Sequence, residues 1–182
     1  IGGSISVSSF QKGMEKGKMQ DGSNRTYWHT RFKPTLANPP HYVILENPKG
    51  KQIDGLSYAA WLGGSGSGQV KAYSIHLSDD GKSWGAAIVE GNLEIRLANE
   101  QPILFPKPTT SRFIKFLVTD AFTKPIDHCA SIGKLDVMTV LPTAGSKLQV
   151  QVSSESVDDL KKVIRRFAQK AFSSNLTDEE LA

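Results

Sequence analysis

A single cysteine, Cys129, stands in the 182 residues, which excludes an intrachain disulfide framework and any cysteine-rich zinc site. No apolar run approaches the ~20 residues that a helix needs to cross a bilayer, and no charged-then-apolar leader opens the chain. Catalytic sets are missing as well. There is no G-x-S-x-G elbow, and His29, His41, His76 and His128 show no metal-ligand spacing. The carboxylate pairs Asp79-Asp80 and Asp158-Asp159 fall in a predicted turn and at a predicted helix start, where turn formation and interaction with the helix dipole are their ordinary jobs. The chain is therefore expected to be non-catalytic. Its net charge is only +4, and the basic residues are scattered except on one helix near the C-terminus, so no nucleic-acid partner is expected. The chain begins at Ile1 rather than Met and ends in a fresh helix start, Thr177-Asp178-Glu179-Glu180; it is expected to be a processed product or an excised piece of a longer protein.

What is present is a succession of short strand signals. Ile5 and Val7 alternate with serines; residues 42–45, 53–58, 70–78, 86–89, 103–105, 113–118 and 132–140 follow, separated by turns rich in Gly, Pro and Asp. Three prolines in residues 32–40 exclude regular ladder pairing there. The run Leu62-Gly63-Gly64-Ser65-Gly66-Ser67-Gly68 lacks the Lys-Ser/Thr ending of a phosphate cradle and reads as a flexible hairpin loop. Asp79-Asp80-Gly81 is a tight turn with Trp84 packing back. Such spacing predicts an all-β sandwich or barrel.

The chain is organised around Asp21-Gly22-Ser23-Asn24-Arg25-Thr26-Tyr27-Trp28-His29-Thr30, a polar turn running into an aromatic block. With Trp28 inward, strand alternation turns Tyr27 and His29 the other way. The segment either presents a histidine at a rim or is a plain corner with a core tryptophan. Helical period appears only in the last thirty residues, where Val157, Leu160, Val163, Ile164, Phe167, Ala168, Ala171 and Phe172 share a face behind the Ser156-x-x-Asp159 cap. The expected organisation is a β-sandwich over 1–141, a linker or strand over 142–152, and an amphipathic helical appendage over 153–182 that starts a following domain.

Several blocks together resemble a known family. Thr26-x-Trp28-His29-Thr30, Ile53-x-Gly55-Leu56-x-Tyr58, Gly68-Gln69-Val70-x-x-Tyr73-x-Ile75, Ser78-x-Asp80-Gly81-x-x-Trp84, Arg112-Phe113-Ile114-Lys115-Phe116 and Ala130-Ser131-Ile132-x-x-Leu135-Asp136-Val137 occur in the order of the discoidin superfamily, the coagulation factor V/VIII type C fold. Within it, the chain looks most like the bacterial family 32 carbohydrate-binding modules. The resemblance implies a discoidin-like jelly-roll β-sandwich whose end loops bind glycan. The clotting members close their ends with a disulfide, which one cysteine cannot supply, and this favours the bacterial branch. In galactose-binding relatives the histidine of the Trp-His-Thr run bonds sugar hydroxyls and an aromatic three positions later stacks on the sugar; here these are His29 and Phe32. Where those relatives carry an arginine this chain has Trp61, which exchanges a polar grip for a stacking platform. Phe122 and His128, in the late loop, complete the implied rim.

Relatives also hold one structural calcium. Asp21 and Thr26 match its ligands, but the family's glutamate position carries Lys134, whose ammonium repels the ion and can pair with Asp21 instead. No cofactor is expected, and the calcium site is expected to be weakened or absent. The function implied is that of a non-catalytic carbohydrate-binding module of a larger secreted, periplasmic or cell-surface bacterial protein, with a glycan and neighbouring domains as partners and no membrane insertion. The alternative is a structural or protein-interaction domain with a decayed sugar site.

Overall fold

The computed structural model describes residues 3–23, 25–63, 66–96, 99–123 and 128–139. The expected linker over 142–152 and helix over 153–182 lie outside the described residues. In chain order the described strands are β1 (Ile5–Val7), β2 (Trp28–His29), β3 (His41–Glu46), β4 (Ile53–Ala59), β5 (Gln69–Ser78), β6 (Val89–Asn92), β7 (Gln101–Thr109), β8 (Phe113–Phe122), β9 (Ser131–Ile132) and β10 (Lys134–Met138). They form two sheets. The larger runs β1-β3-β8-β5-β9-β2 with β6 added to β5, and the smaller runs β10-β4-β7. All pairings are antiparallel except β5 with β9, which meet through Gln69 and Ser131. The expected all-β jelly-roll sandwich is the architecture observed.

Alternation explains which side of each strand faces inward. In β3, His41, Val43 and Leu45 are buried while Tyr42, Ile44 and Glu46 are half-buried. In β5 simple alternation fails, because register shifts between Val70 and Tyr73 turn both of those residues into the core. β7 tolerates Pro102, Pro106 and Pro108 because it is an edge strand, where missing amides cost no ladder bond. The strand expected over 86–89 begins only at Val89, and the one expected over 132–140 divides at Gly133 into β9 and β10, which belong to different sheets.

The core is aromatic at its centre. Trp28, Tyr58 and Phe116 are fully buried. Phe116 of β8 lies parallel to Tyr58 of the smaller sheet at 6.2 Å and to Tyr73 of its own sheet at 5.5 Å, so one ring joins the two layers. The Tyr58 hydroxyl accepts the Val70 amide at 3.3 Å, and burial pushes its pKa up to about 12. The Trp28 indole donates to the Ser9 carbonyl at 2.9 Å, which anchors the loop after β1. Asp80 organises the turn after β5: the Ser83 and Lys82 amides and the Ser78 and Ser83 hydroxyls all donate to it and hold its carboxyl far below the usual range. Trp84 packs back as expected, under the Lys115 ammonium at 3.8 Å from the ring centre.

The glycine-rich run is not a hairpin. It connects β4 of the smaller sheet to β5 of the larger, so it crosses from one layer to the other.

Candidate functional site

His29, at the end of β2, lines a cleft of 210 Å³ with Phe32, Leu36, Ser67 and Cys129. The proline-interrupted loop after β2 supplies Phe32 and Leu36, the entry to β5 supplies Ser67, and the approach to β9 supplies Cys129. Gly68 allows this convergence: its φ is +89°, and a Cβ there would stand 2.9 Å from the Ser131 amide nitrogen. Phe32 is 37% exposed at the mouth, and His29 is buried below it. The His29 Nδ1–H donates to the Thr30 carbonyl at 2.6 Å. Since a carbonyl only accepts, the neutral ring carries its lone pair on Nε2. Burial lowers the His29 pKa; the Thr30 bond opposes this and the charge of His41 adds to it. The imidazole is therefore neutral at pH 7 and offers an acceptor.

Aromatic rings continue from this histidine in both directions. Phe32 meets His29 edge-to-face at 5.0 Å, Tyr27 meets it edge-to-face at 6.3 Å, and Tyr27 stacks on Trp61 at 3.7 Å with an interplanar angle of 13°. Trp61 thus departs from the open platform that its place beside a glycine-rich loop suggests. It is half-buried, Tyr27 covers one face, and a Cβ on Gly63 would lie 2.3 Å from its Cζ2. Tyr27 was already turned to the side of His29 by strand alternation, although nothing in the chain marked it as Trp61's partner.

Phe122 and His128 lie apart from that cleft. Phe122 ends β8, half-buried, with the Arg96 guanidinium carbon 5.4 Å from its ring centre. His128 is exposed and lines a second cleft of 120 Å³ with Pro39, His41, Asp120, Thr123 and Cys129. The His41 Nε2–H donates to the His128 carbonyl at 2.5 Å, which holds the backbone at that residue. Cys129 lines both clefts and separates them. Besides Tyr27, the residues that pattern alone did not bring forward are Leu36, Ser67 and Cys129, each brought in by a loop rather than by alternation.

Asp21 and Thr26, the two residues that match the family's calcium ligands, stand together. Thr26 Oγ1 donates to both Asp21 carboxylate oxygens at 2.8 Å, and the Ser23 amide donates to Asp21 Oδ1 at 2.9 Å. Lys134 does not pair with Asp21, contrary to expectation. Its ammonium lies 2.6 Å from Glu100 and 3.5 Å from Asp136. The reason is register: Lys134 sits opposite Ala59 on the smaller sheet, and Glu100, which also accepts the Ser57 hydroxyl, stands beside that strand. Among the described residues, no group of three His, Cys, Asp or Glu side chains gathers to hold a metal. The Lys18 and Ser23 carbonyls also lie 3.4 Å from Thr26 Oγ1, but Lys134, engaged with Glu100, stands where the resemblance implies a glutamate ligand. Dialysis against EDTA is expected to leave the thermal midpoint unchanged; a large fall would show a bound ion that these residues hold after all.

The F5/8 type C domain family model matches residues 4–132. The chain belongs to that family. It is 29% identical over 119 residues to a sialidase of Micromonospora viridifaciens; the match covers 64% of this chain and 18% of the sialidase. The chain thus spans about a fifth of that relative's length. Among solved structures it is similar to a family 32 carbohydrate-binding module of Clostridium perfringens in complex with GalNAc-β-1,3-galactose, with a TM-score of 0.64 and 22% identity, covering 75% of this chain and 95% of the module. A second family 32 module, from NanJ of C. perfringens in complex with galactose, superposes with a TM-score of 0.61 at 20% identity, over 74% of this chain and 92% of that one. Among the described residues, no helix is long and apolar enough to cross a membrane.

Proposed function

We propose that the chain is a non-catalytic carbohydrate-binding module of a larger secreted bacterial protein, which it tethers to a glycan. The observation that carries this reading is the cleft lined by Phe32 and by a buried His29 that offers a neutral acceptor, with Tyr27 and Trp61 continuing the aromatic row from His29. Sugars present apolar C–H faces and ring hydroxyls at once. Phe32 supplies the flat surface for the first and His29 Nε2 the acceptor for the second. The bacterial relatives solved with galactose and with GalNAc-β-1,3-galactose support the ligand class, and the much longer sialidase supports a place beside a catalytic domain.

The cleft is small and open, so stacking and a few hydrogen bonds must overcome the cost of association, and single-site affinity is expected to be weak. Stacking is worth about 0.5–1.5 kcal/mol beyond area burial, so Phe32→Ala is expected to weaken binding by roughly two- to tenfold or more. A glycan array probed with the chain and with Phe32→Ala tests the reading. Binding to one coherent glycan class, reduced in the variant, supports it. A folded protein that binds no glycan overturns it in favour of a structural domain.

A further inference from the structure

We propose that the cleft lined by His41 is a second binding subsite, which takes an uncharged hydrogen-bond donor, a hydroxyl or an amide N–H, from the glycan residue next to the one in the His29 cleft. The inference rests on the carbohydrate-binding reading and extends it from one sugar residue to two.

An acceptor without a partner marks the cleft. His41 opens β3 and is only 4% exposed. Its Nε2–H is taken by the His128 carbonyl, so in the neutral ring the lone pair lies on Nδ1. Among the described residues, Nδ1 is the one buried side-chain nitrogen or oxygen with no hydrogen-bond partner. Buried polar groups are ordinarily paired, and one left unpaired bears the full cost of its lost hydration. A donor brought by a ligand removes that cost.

The lining of the cleft selects the kind of donor. Pro39, Thr123, His128 and Cys129 surround His41 in a space of 120 Å³, and the carboxylate there, Asp120, is already paired with Lys71 at 2.6 Å. With that charge matched, an ammonium gains little for the water it gives up, whereas a neutral O–H or N–H enters at a smaller desolvation cost. No three His, Cys, Asp or Glu side chains among the described residues gather to hold a metal, which leaves the lone pair to a hydrogen-bond donor.

The two clefts share a wall, Cys129. On either side of it stands a buried histidine with one ring N–H fixed on a backbone carbonyl, that of Thr30 for His29 and that of His128 for His41, and with the other nitrogen left to accept. The carbonyl bond sets the tautomer and the ring plane before a ligand arrives, so neither acceptor has to be ordered on binding. Only the width of one residue separates the clefts. A glycan with one sugar on Phe32 and His29 reaches the second cleft with the next.

Imidazole nitrogen NMR of the chain tests this with galactose, β-1,3-galactobiose and GalNAc-β-1,3-galactose as probes. The His41 Nδ1 resonance is expected at the position of an unbonded lone pair in the free protein, and to move toward the bonded position with a disaccharide but not with galactose. Movement with both disaccharides identifies a hydroxyl as the donor; movement with the GalNAc probe alone identifies its amide N–H. In calorimetric titrations the disaccharide that moves the signal should bind about two- to tenfold tighter than galactose, and His41→Phe should erase that advantage. If His41→Phe does not fold, the resonance in the unaltered protein decides alone. A His41 signal that stays still with both disaccharides while that of His29 responds, one that moves equally with galactose, or an advantage unchanged in folded His41→Phe overturns the second subsite and leaves carbohydrate binding in place. A folded protein in which neither histidine responds to any probe overturns both.

Discussion

Phe116→Ala is expected to lower the free energy of unfolding by roughly 3–5 kcal/mol. The ring is fully buried and stacks on Tyr58 across the sandwich and on Tyr73 within its own sheet. Its removal deletes apolar burial, strips both tyrosines of a partner and leaves a cavity between layers that the ladders on either side of β8 cannot close. Domains of this size are stable by only about 5–15 kcal/mol, so the loss would consume a large share of the total. Leu104→Ala is the contrast. That side chain is 64% exposed on the edge strand β7, and its truncation is expected to change stability by less than about 0.5 kcal/mol. Urea denaturation of both variants decides the matter; a loss below about 1 kcal/mol for Phe116→Ala would mean that the two layers are not joined through this ring.

Acid should weaken glycan binding through His29. Burial holds the imidazole neutral in the folded chain, and a sugar seated in the cleft removes still more water from it, so the bound form resists protonation further. Affinity is then level above pH 6.5 and falls as pH drops through the lowered His29 pKa. Stability follows the same sign. The unfolded chain takes up the proton near pH 6.5 and the folded chain only below that, so the unfolded state binds more protons in between. Stability is full above pH 6.5 and is lost as pH falls through the folded value. His29→Gln retains a neutral hydrogen-bonding group and should flatten both profiles between about pH 6.5 and 5, the range below the ordinary histidine pKa. Thermal melts and sugar titrations across that interval provide the check, and an acid limb that persists unchanged in the variant would assign it to another group.

The β-sandwich was legible in the sequence because sheet formation writes a local pattern: Ile5 and Val7 alternating with serines in β1, a short apolar run in β3, turn residues such as Asp80-Gly81 after β5, and no helical period before residue 153. His29 was legible for the same reason, lying on one short strand, whereas Phe32 entered through the family resemblance. Three features were not. The glycine-rich run reads the same whether it closes a hairpin or crosses between layers, and only the pairing of β4 with β7 and β10 makes it a crossover. Trp61 reads as an exposed platform until tertiary packing brings Tyr27 onto its face. Lys134 and Asp21 have complementary charges in the chain, but the ladder register delivers Glu100 to the ammonium first. Composition, alternation and turn chemistry act over a few residues, and they determined the class of fold and the place of the histidine. Which distant side chains meet, including Gln69 with Trp61 and Arg96, depends on register, bulges and loop crossings. Those are settled only when the two sheets pack, because their energies belong to pairs of segments and not to either one alone.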